Sequence, residues 1–314
     1  MSNPSWRIVF FGTPSFALPS LETLTRGSDE VVAVVTQPDR EKGRGRKVIA
    51  SPVKELALQK GLPILQPEKA REVSFQETLK GFGADLFVVA AYGQILPKSI
   101  LSLPKYGAIN VHASLLPKNR GSAPIAWAIL NGDKKTGITT MLMDEGMDTG
   151  DILLESEIPI QKDETTETLQ DRLASLGARV LAETLEQMKK GKIHPTPQDH
   201  SKATYAPMLK KEDGRIDWIK GAEEIDRQVR AFHPWPGAYT EWQGQILKIY
   251  KGDVRKGKGA GKAGTVLWVG TDFIEIGTGE GSYVLKEVQL EGKRRMSTRD
   301  FLSGHLVSVG EVLG

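Results

Sequence analysis

Short apolar runs separated by helical patterns make up the first half of the chain. The runs predict buried strands at Arg7–Phe11, Val31–Thr36, Pro63–Leu65, Asp85–Ala91, Ala108–Val111 and Ile138–Met143. Apolar residues at helical spacing predict helices between them, at Pro52–Gln59, Glu72–Lys80 and Ala123–Leu130. Strands that alternate with helices are typical of a doubly wound, mainly parallel sheet, so we predict a Rossmann-like α/β fold for this part.

A long helix is predicted next, and a proline-rich segment follows it. Leucine and valine residues repeat at helical spacing from Leu169 to Met188, and Gly191 ends the pattern. Residues 191–207 are polar and rich in proline, which predicts an interdomain linker. His194 and His200 lie in this segment without a second pair at ligand spacing, so we expect no metal site there.

The pattern changes after residue 207. A short helix at Ala222–Ala231 is predicted before short strands at Tyr239–Trp242, Gln245–Tyr250, Gly264–Val269, Phe273–Gly277 and Tyr283–Gln289. Short strands separated by glycines are typical of a small β-barrel. We therefore expect a Rossmann-like domain at 1–190, a linker at 191–207 and an OB-like barrel at 208–314.

Composition narrows the possible chemistry. The chain has 314 residues and no cysteine, which fits two domains in a reducing cytoplasm and excludes disulfides and thiolate catalysis. No apolar run approaches the ~18 residues that suggest a membrane span, so we expect no membrane contact. The Gly43–Gly45 motif lacks the third glycine of a dinucleotide fingerprint, and this disfavours an oxidoreductase.

Positive charge is concentrated in three clusters, although the net charge is only +3. The clusters lie in Asp39–Lys47, Lys251–Lys262 and Lys293–Arg295. Such clusters on a nearly neutral protein favour a polyanionic partner that binds at particular places. Each cluster taken alone fits a solvated loop equally well.

Candidate catalytic residues are concentrated between Gly107 and Asp151. Asn110 and His112 lie two residues apart on one predicted strand, so their side chains point the same way. An amide donor beside an imidazole suits oxyanion stabilisation and proton transfer near neutral pH. The acidic turn after the next strand offers three possible carboxylate partners, which spacing alone does not distinguish: Asp144, Asp148 and Asp151.

The motif N-x-H-x-S-L-L-P at Asn110–Pro117, followed by M-D-E-G-M-D-T-G-D at Met143–Asp151, resembles the formyltetrahydrofolate-dependent formyltransferase family. The resemblance covers nearly all of the chain and extends to the members that act on initiator tRNA. It implies transfer of the formyl group of 10-formyltetrahydrofolate to the α-amino group of methionyl initiator tRNA. It also implies that no metal is needed, and we expect a monomer.

The same resemblance assigns roles to residues. Asn110 and His112 are implied to hold the formyl oxygen, and Asp148 is implied to orient His112 and to help remove the amine proton. The folate pocket is implied to be lined by Ser114, Leu115, Leu116 and Pro117 and by the main chain of Tyr92, Gly93, Gln94, Ile95 and Leu96. A flexible basic loop is implied to reach the tRNA acceptor end through Arg40, Lys42, Arg44, Arg46 and Lys47, with Arg44 as the leading candidate.

Other functions fit part of the pattern. Formyl transfer to a glycine ribonucleotide or an amino sugar, or hydrolysis of the formyl folate, would use the same three catalytic residues. The basic clusters favour a tRNA acceptor over these small acceptors. An RNA-binding protein without catalysis would have no need to retain Asn110, His112 and Asp148 together.

Overall fold

The structure is a computed structural model that describes residues 4–42, 47–257 and 262–314. The strands of these residues are β1 (Arg7–Gly12), β2 (Glu30–Val35), β3 (Arg40–Lys42), β4 (Lys47–Ile49), β5 (Ile64–Leu65), β6 (Leu86–Ala90), β7 (Ala108–His112), β8 (Lys135–Leu142), β9 (Ile152–Pro159), β10 (Ala238–Trp242), β11 (Gln245–Arg255), β12 (Val266–Val269), β13 (Ile274–Gly277), β14 (Ser282–Leu290) and β15 (Met296–Ser297). The α-helices are α1 (Leu18–Arg26), α2 (Pro52–Gln59), α3 (Val73–Gly81), α4 (Lys98–Leu101), α5 (Pro124–Leu130), α6 (Thr166–Lys189), α7 (Ala222–Ala231) and α8 (Thr298–Gly304). Short 3-10 helices occur at Ser15–Ala17, His200–Lys202 and Lys211–Gly214.

The chain divides into two compact units. The first unit contains the described residues up to Pro124 together with Lys135–Pro159 and Gln170–Ala206. The second unit contains Ile125–Lys134, Ile160–Leu169 and the described residues from Pro207 onward. The proline-rich segment therefore belongs to the first unit as far as Ala206.

The first unit is built on a sheet that has seven strands in the described part of the chain, in the order β5-β2-β1-β6-β7-β8-β9. The first five strands in this order pair in parallel, whereas β8 and β9 are antiparallel to their neighbours. β6 is buried along its whole length, as expected for a strand covered on both faces. The predicted mainly parallel α/β fold is confirmed. β9 was not predicted, because the consecutive polar residues Glu155, Ser156 and Glu157 interrupt its apolar run.

The direction of β8 changes how the candidate residues meet. Parallel pairing places the carboxyl ends of β1, β6 and β7 side by side, and Gly12, Tyr92 and His112 lie there. In a fully parallel sheet the acidic turn after β8 would follow a carboxyl end at the same edge. β8 is antiparallel, however, so its end at Leu142 pairs with Ile109 near the beginning of β7. The loop after β8 must therefore turn back along β7 to approach His112.

A buried apolar cluster supports the strand ends of the first unit. Phe11 and Phe87 lie on neighbouring strands with ring centroids 5.2 Å apart, and both are at most 1% exposed. Phe75 and Leu79 of α3 belong to the same cluster. Burying each of these large side chains contributes about 1.5–3 kcal/mol. The strands that present the candidate residues are therefore firmly packed.

The second unit contains an antiparallel sheet that has six strands among the residues described, in the order β10-β11-β14-β13-β12 with β15 paired to β14. Its core includes Trp242, Leu247, Ile276 and Phe301. The predicted strands and helix of this region are all present, and the prediction of a C-terminal β domain is confirmed. Across the three described ranges, no helix is long and apolar enough to cross a membrane.

Candidate active site

His112 is the last residue of β7, and its imidazole has a partner on each side. Nε2 lies 3.1 Å from the main-chain oxygen of Asn119. Because a carbonyl oxygen only accepts, Nε2 must carry the proton. Nδ1 lies 3.7 Å from Oδ1 of Asp148. Nδ1 is therefore the nitrogen available for proton exchange, and it faces a carboxylate.

Two N–H groups hold the carboxylate of Asp148 in place. Asn110 Nδ2 donates to Oδ1 at 3.2 Å, and the main-chain N–H of Gly121 donates to Oδ2 at 2.8 Å. The Asp148 side chain is 14% exposed, and that of His112 is 6% exposed. The structure thus brings together the amide, imidazole and carboxylate that the sequence pattern singled out.

Geometry distinguishes the acidic residues of the turn. The exposed Asp144 accepts hydrogen bonds from the Gly146 N–H at 3.0 Å and from the Thr149 hydroxyl at 2.6 Å, so its carboxylate closes its own turn. Asp148 instead points toward β7. Its contact with His112 supports Asp148 as the carboxylate partner.

Backbone strain surrounds the imidazole. Among the described residues, Ala91, Asn119, Asp148 and Gln243 are the residues other than glycine with positive φ, at 49°, 56°, 55° and 50°. A left-handed conformation costs most residues with a Cβ atom about 1–2 kcal/mol, and it costs asparagine and aspartate less. Such strain persists where neighbouring contacts impose it, and it is typical of functional sites. Here Asn119 and Asp148 supply the carbonyl and the carboxylate on either side of His112.

The loop after β7 is tied to β8 through Thr139. The Leu116 N–H donates to the Thr139 hydroxyl oxygen at 3.1 Å, and that hydroxyl donates to the Ser114 carbonyl at 2.7 Å. Ser114 and Leu116 are consequently buried, with 0% and 4% exposure. Leu115 and Pro117 are half-buried. They are therefore the two partly accessible residues in this part of the predicted folate pocket.

The segment after β6 combines buried side chains with accessible main chain. Tyr92 and Leu96 are buried at 2% and 3% exposure, and burial raises the pKa of the Tyr92 hydroxyl to about 12. The side-chain oxygen of Gln94 accepts a hydrogen bond of 2.7 Å from the main-chain N–H of Ala70, just before α3. Gly93 is exposed and Ile95 is 82% exposed. Within the described residues, the main-chain groups of Gly93 and Ile95 take part in no hydrogen bond, so they can bind the edge of a flat polar ring.

The predicted basic loop has strands on both sides. β3 and β4 pair as antiparallel strands within the segment that was expected to be a flexible loop. The exposed guanidinium of Arg40 lies 3.7 Å from Glu68, and Lys42 of β3 pairs with Lys47 of β4. Two of the predicted tRNA-binding residues lie outside the described residues: Arg44 and Arg46.

The predicted linker runs beside the loops that follow β7 and β8. Thr204 accepts the Asn119 N–H through its hydroxyl oxygen and the Arg120 N–H through its carbonyl, both at 2.9 Å. Gln198 donates from Nε2 to the carbonyls of Asp148 and Gly150 at 2.9 Å and 2.7 Å. The sequence carries no local signal for these contacts, because they join residues 48 to 85 positions apart.

The two histidines of this segment show no arrangement for metal binding. No group of three or more His, Cys, Asp or Glu side chains could hold a metal ion in the parts of the chain that the structure describes. His200 Nδ1 instead lies 3.1 Å from Nη2 of Arg120. Because a guanidinium only donates, His200 Nδ1 accepts this hydrogen bond.

Two family models match the chain in succession. The formyl transferase model matches residues 6–185, and the model of the formyl transferase C-terminal domain matches residues 208–306. Two relatives named methionyl-tRNA formyltransferase, from Citrifermentans bemidjiense and Caldanaerobacter subterraneus, are 52% and 53% identical over 308 residues. These alignments cover 98% of this chain and 96% and 99% of the two relatives.

Solved structures share the fold. HypX from Aquifex aeolicus, in complex with tetrahydrofolic acid, has a TM-score of 0.65 at 20% identity. That match covers 95% of this chain and 47% of HypX, so the chain spans about half of HypX. An N-formyltransferase from Helicobacter canadensis, in complex with folinic acid and dTDP-3-aminofucose, has a TM-score of 0.66 at 20% identity over 89% of this chain and 98% of that protein. At these identities the likeness concerns the fold.

Proposed function

This chain belongs to the formyl transferase family, and we propose that it transfers the formyl group of 10-formyltetrahydrofolate to the α-amino group of methionyl initiator tRNA. The product is N-formylmethionyl-tRNA, with which translation begins. One observation carries the proposal: Asp148 Oδ1 lies 3.2 Å from Asn110 Nδ2 and 3.7 Å from His112 Nδ1. This contact assembles an amide donor, a proton-transfer group and an orienting carboxylate in a chain that the two family models match.

Asn110 and His112 stabilise the negative charge that develops on the formyl oxygen. The Asn110 amide has two N–H groups and uses one of them on Asp148, which leaves the other for the substrate. His112 supplies a second donor once Nδ1 has taken up the proton that the amine loses, since Nε2–H already donates to the Asn119 carbonyl. A well-placed donor of this kind contributes about 3–4 kcal/mol to the transition state. Folate supplies the activated formyl group, so no side chain has to act as a nucleophile.

Asp148 and His112 remove the proton that the attacking amine must lose. Asp148 stabilises the charged imidazole through Oδ1, while Gly121 holds its second oxygen at 2.8 Å. The proton passes to this pair directly or through a water molecule, and it is returned to the folate nitrogen when the bond between that nitrogen and the formyl carbon breaks. Such proton transfer contributes roughly 10² to 10⁴ in rate.

The residues present fit a folate. The accessible main chain of Gly93 and Ile95 offers donors and acceptors for a pteridine edge, and the exposed Ile95 side chain offers an apolar surface. Leu115 and Pro117 are the partly accessible residues of the loop after β7. We propose that these two segments bind the donor on the same side of the sheet as His112.

The tRNA is proposed to contact both domains. The basic segment that contains Arg40, Lys42, Arg44, Arg46 and Lys47 contacts the acceptor end. Domain 208–314 binds the tRNA further from the reacting amine, domain 1–190 carries out catalysis, and 191–207 connects them. The protein acts as a monomer in the cytoplasm.

The decisive experiment follows labelled formyl from 10-formyltetrahydrofolate into charged initiator tRNA, charged elongator tRNA or free methionine. We expect label only on the initiator tRNA. Added KCl should raise KM for the tRNA and leave KM for the folate unchanged, because counterion release affects only the polyanion. Label released as formate would identify a hydrolase, and no consumption of the donor would contradict the proposal.

A further inference from the structure

Gln198 and Arg120 lie behind Asp148, where the proposed chemistry does not use them directly. Gln198 is 6% exposed and Arg120 is 2% exposed. Residues of these types are seldom buried so fully unless hydrogen bonds satisfy them. We propose that Gln198 is a positioning residue that fixes the Asp148 carboxylate for proton transfer and that Arg120 orients Gln198. The inference rests on the proposed function.

Gln198 holds the main chain on both sides of one residue of the catalytic loop. Its Nε2 donates to the Asp148 carbonyl at 2.9 Å and to the Gly150 carbonyl at 2.7 Å, so one amide group spans Thr149. Asp148 has a φ of 55°, a left-handed conformation that aspartate tolerates better than most residues and that hydrogen bonds to its main chain help to fix. Gln198 supplies one such hydrogen bond at Asp148 itself and a second at Gly150.

Arg120 leaves the Gln198 amide a single orientation. Gln198 Oε1 accepts from Arg120 Nε at 3.1 Å and from Nη2 at 2.6 Å. A guanidinium has only donors, and main-chain carbonyls have only acceptors. Rotating the amide by half a turn would place N–H groups against the guanidinium and an oxygen against the two carbonyls. The Arg120 guanidinium on one side and the two carbonyls on the other therefore oppose that rotation.

The same hydrogen-bond network also reaches the Asp148 carboxylate. Gly121 donates its N–H to Asp148 Oδ2 at 2.8 Å, and Gly121 directly follows Arg120. The main chain of Gly121, next to Arg120, therefore holds the Asp148 side chain. The Arg120 side chain holds the Asp148 main chain indirectly, through Gln198. A displacement of Gln198 would move the carboxylate relative to His112 Nδ1.

Gln198→Glu tests the donated hydrogen bonds. The new side chain keeps the shape and still accepts from Arg120, but its second oxygen faces the carbonyls of Asp148 and Gly150. Misplacement of a catalytic group by ~1 Å costs about 10²-fold, so we expect kcat to fall by about 10- to 100-fold. KM for tRNA and for folate should not change, because Gln198 is only 6% exposed and offers almost no surface to a substrate.

Gln228 in the second unit offers a matched control. It is also 6% exposed, and its Nε2 also bridges two carbonyls on either side of one residue, those of Asp213 at 2.9 Å and Arg215 at 3.0 Å. Gln228→Glu therefore makes the same chemical change far from the catalytic loop in sequence. We expect it to lower thermal stability as Gln198→Glu does, with kcat unchanged.

A double-mutant cycle separates positioning from general damage. In an Asp148→Asn background, Gln198→Glu should cause no further loss of kcat, because the group it positions has already been removed. Arg120→Lys keeps the charge but removes the planar donors that orient Gln198. This variant should therefore also lower kcat when Asp148 is present and cause no further loss in the Asp148→Asn background. An equal loss of kcat in both backgrounds would overturn the inference.

Hydrogen–deuterium exchange tests the same idea without activity. A peptide covering Met143–Asp151 should exchange about tenfold faster in the Gln198→Glu variant and unchanged in the Gln228→Glu variant. Unchanged exchange of this loop in Gln198→Glu would overturn the inference. A wild-type protein that transfers no formyl group would contradict the proposed function instead, while the exchange measurement would still decide whether Gln198 holds the loop.

Discussion

Two pairs of a basic side chain and a carboxylate lie near opposite ends of the large sheet. Lys189 and Asp29 form an ion pair beside the amino ends of β1 and β2, whereas His112 and Asp148 meet near the carboxyl end of β7. Both pairs are buried, with side chains 4% and 8% exposed in the first and 6% and 14% in the second. By burial and charge alone, the first pair is the better candidate site.

Their surroundings separate the two pairs. Asp29 accepts the Trp6 N–H at 2.9 Å, and Lys189 Nζ lies 5.2 Å from the centre of the Trp6 ring, so this pair binds β1 to the end of α6. Around His112 the backbone has positive φ at Asn119 and Asp148, and one N–H of the Asn110 amide has no partner among the described residues. An unused donor beside a strained backbone therefore indicates a catalytic site better than a buried charge does.

The largest effect should come from His112→Ala. This change removes the proton-transfer group and one oxyanion donor, so we expect kcat to fall by about 10² to 10⁴. The variant should remain folded with near-normal tRNA binding. Single-turnover formyl transfer, measured with binding and thermal unfolding of the same preparation, checks the prediction. Turnover close to wild type would exclude His112 from catalysis.

Asp29→Asn should show the opposite result. The amide oxygen can still accept the Trp6 N–H, but the Lys189 cation is left buried without its partner. Breaking a buried pair in this way costs about 3–5 kcal/mol, whereas kcat per folded molecule should not change. Urea unfolding and an active-site titration measure the two quantities separately.

A double variant controls for the chemistry of that pair. Replacing both groups, as in Asp29→Asn with Lys189→Met, removes the unpaired charge and should recover most of the stability lost in the single variant. If the double variant were as unstable as Asp29→Asn, the loss would have to come from packing around Trp6. A fall in kcat in either variant would contradict the contrast between the two pairs.

The local sequence pattern was enough to predict the part of the site that lies on β7. The two-residue spacing of Asn110 and His112 requires only that Ala108–Val111 is a strand, which its apolar run indicates. Most strands of both units were predicted for the same reason, whereas β3, β4, β9 and β15 were not. Their periodicity is read over a few residues and does not depend on distant parts of the chain.

The other side of the site depends on long-range geometry. Asp148 reaches His112 because β8 is antiparallel and its loop turns back along β7, and strand direction cannot be read from the β8 sequence. Gln198 was assigned to a linker because proline and polar residues are typical of linkers. Its function as a structural support depends on a contact with Asp148, 50 positions away.

The smallest effect should come from Tyr92→Phe, which tests whether burial at the catalytic end of the sheet has any functional meaning by itself. The Tyr92 hydroxyl is buried and has no hydrogen-bond partner among the described residues. Removing it should leave kcat unchanged and change the free energy of unfolding by no more than about 1 kcal/mol at neutral pH, in the stabilising direction.

The stability difference between Tyr92→Phe and the wild-type protein should depend on pH, in a direction that follows from the pKa of Tyr92. Burial raises the pKa of Tyr92 from 10.0 to about 12, so between these values the unfolded chain loses a proton that the folded protein retains. The wild-type protein therefore loses stability as pH rises from 10 to 12, and Tyr92→Phe lacks this contribution. The advantage of the variant, measured by urea unfolding, should grow across that interval. A constant difference between the two proteins would mean that the hydroxyl reaches solvent or an unrecognised partner.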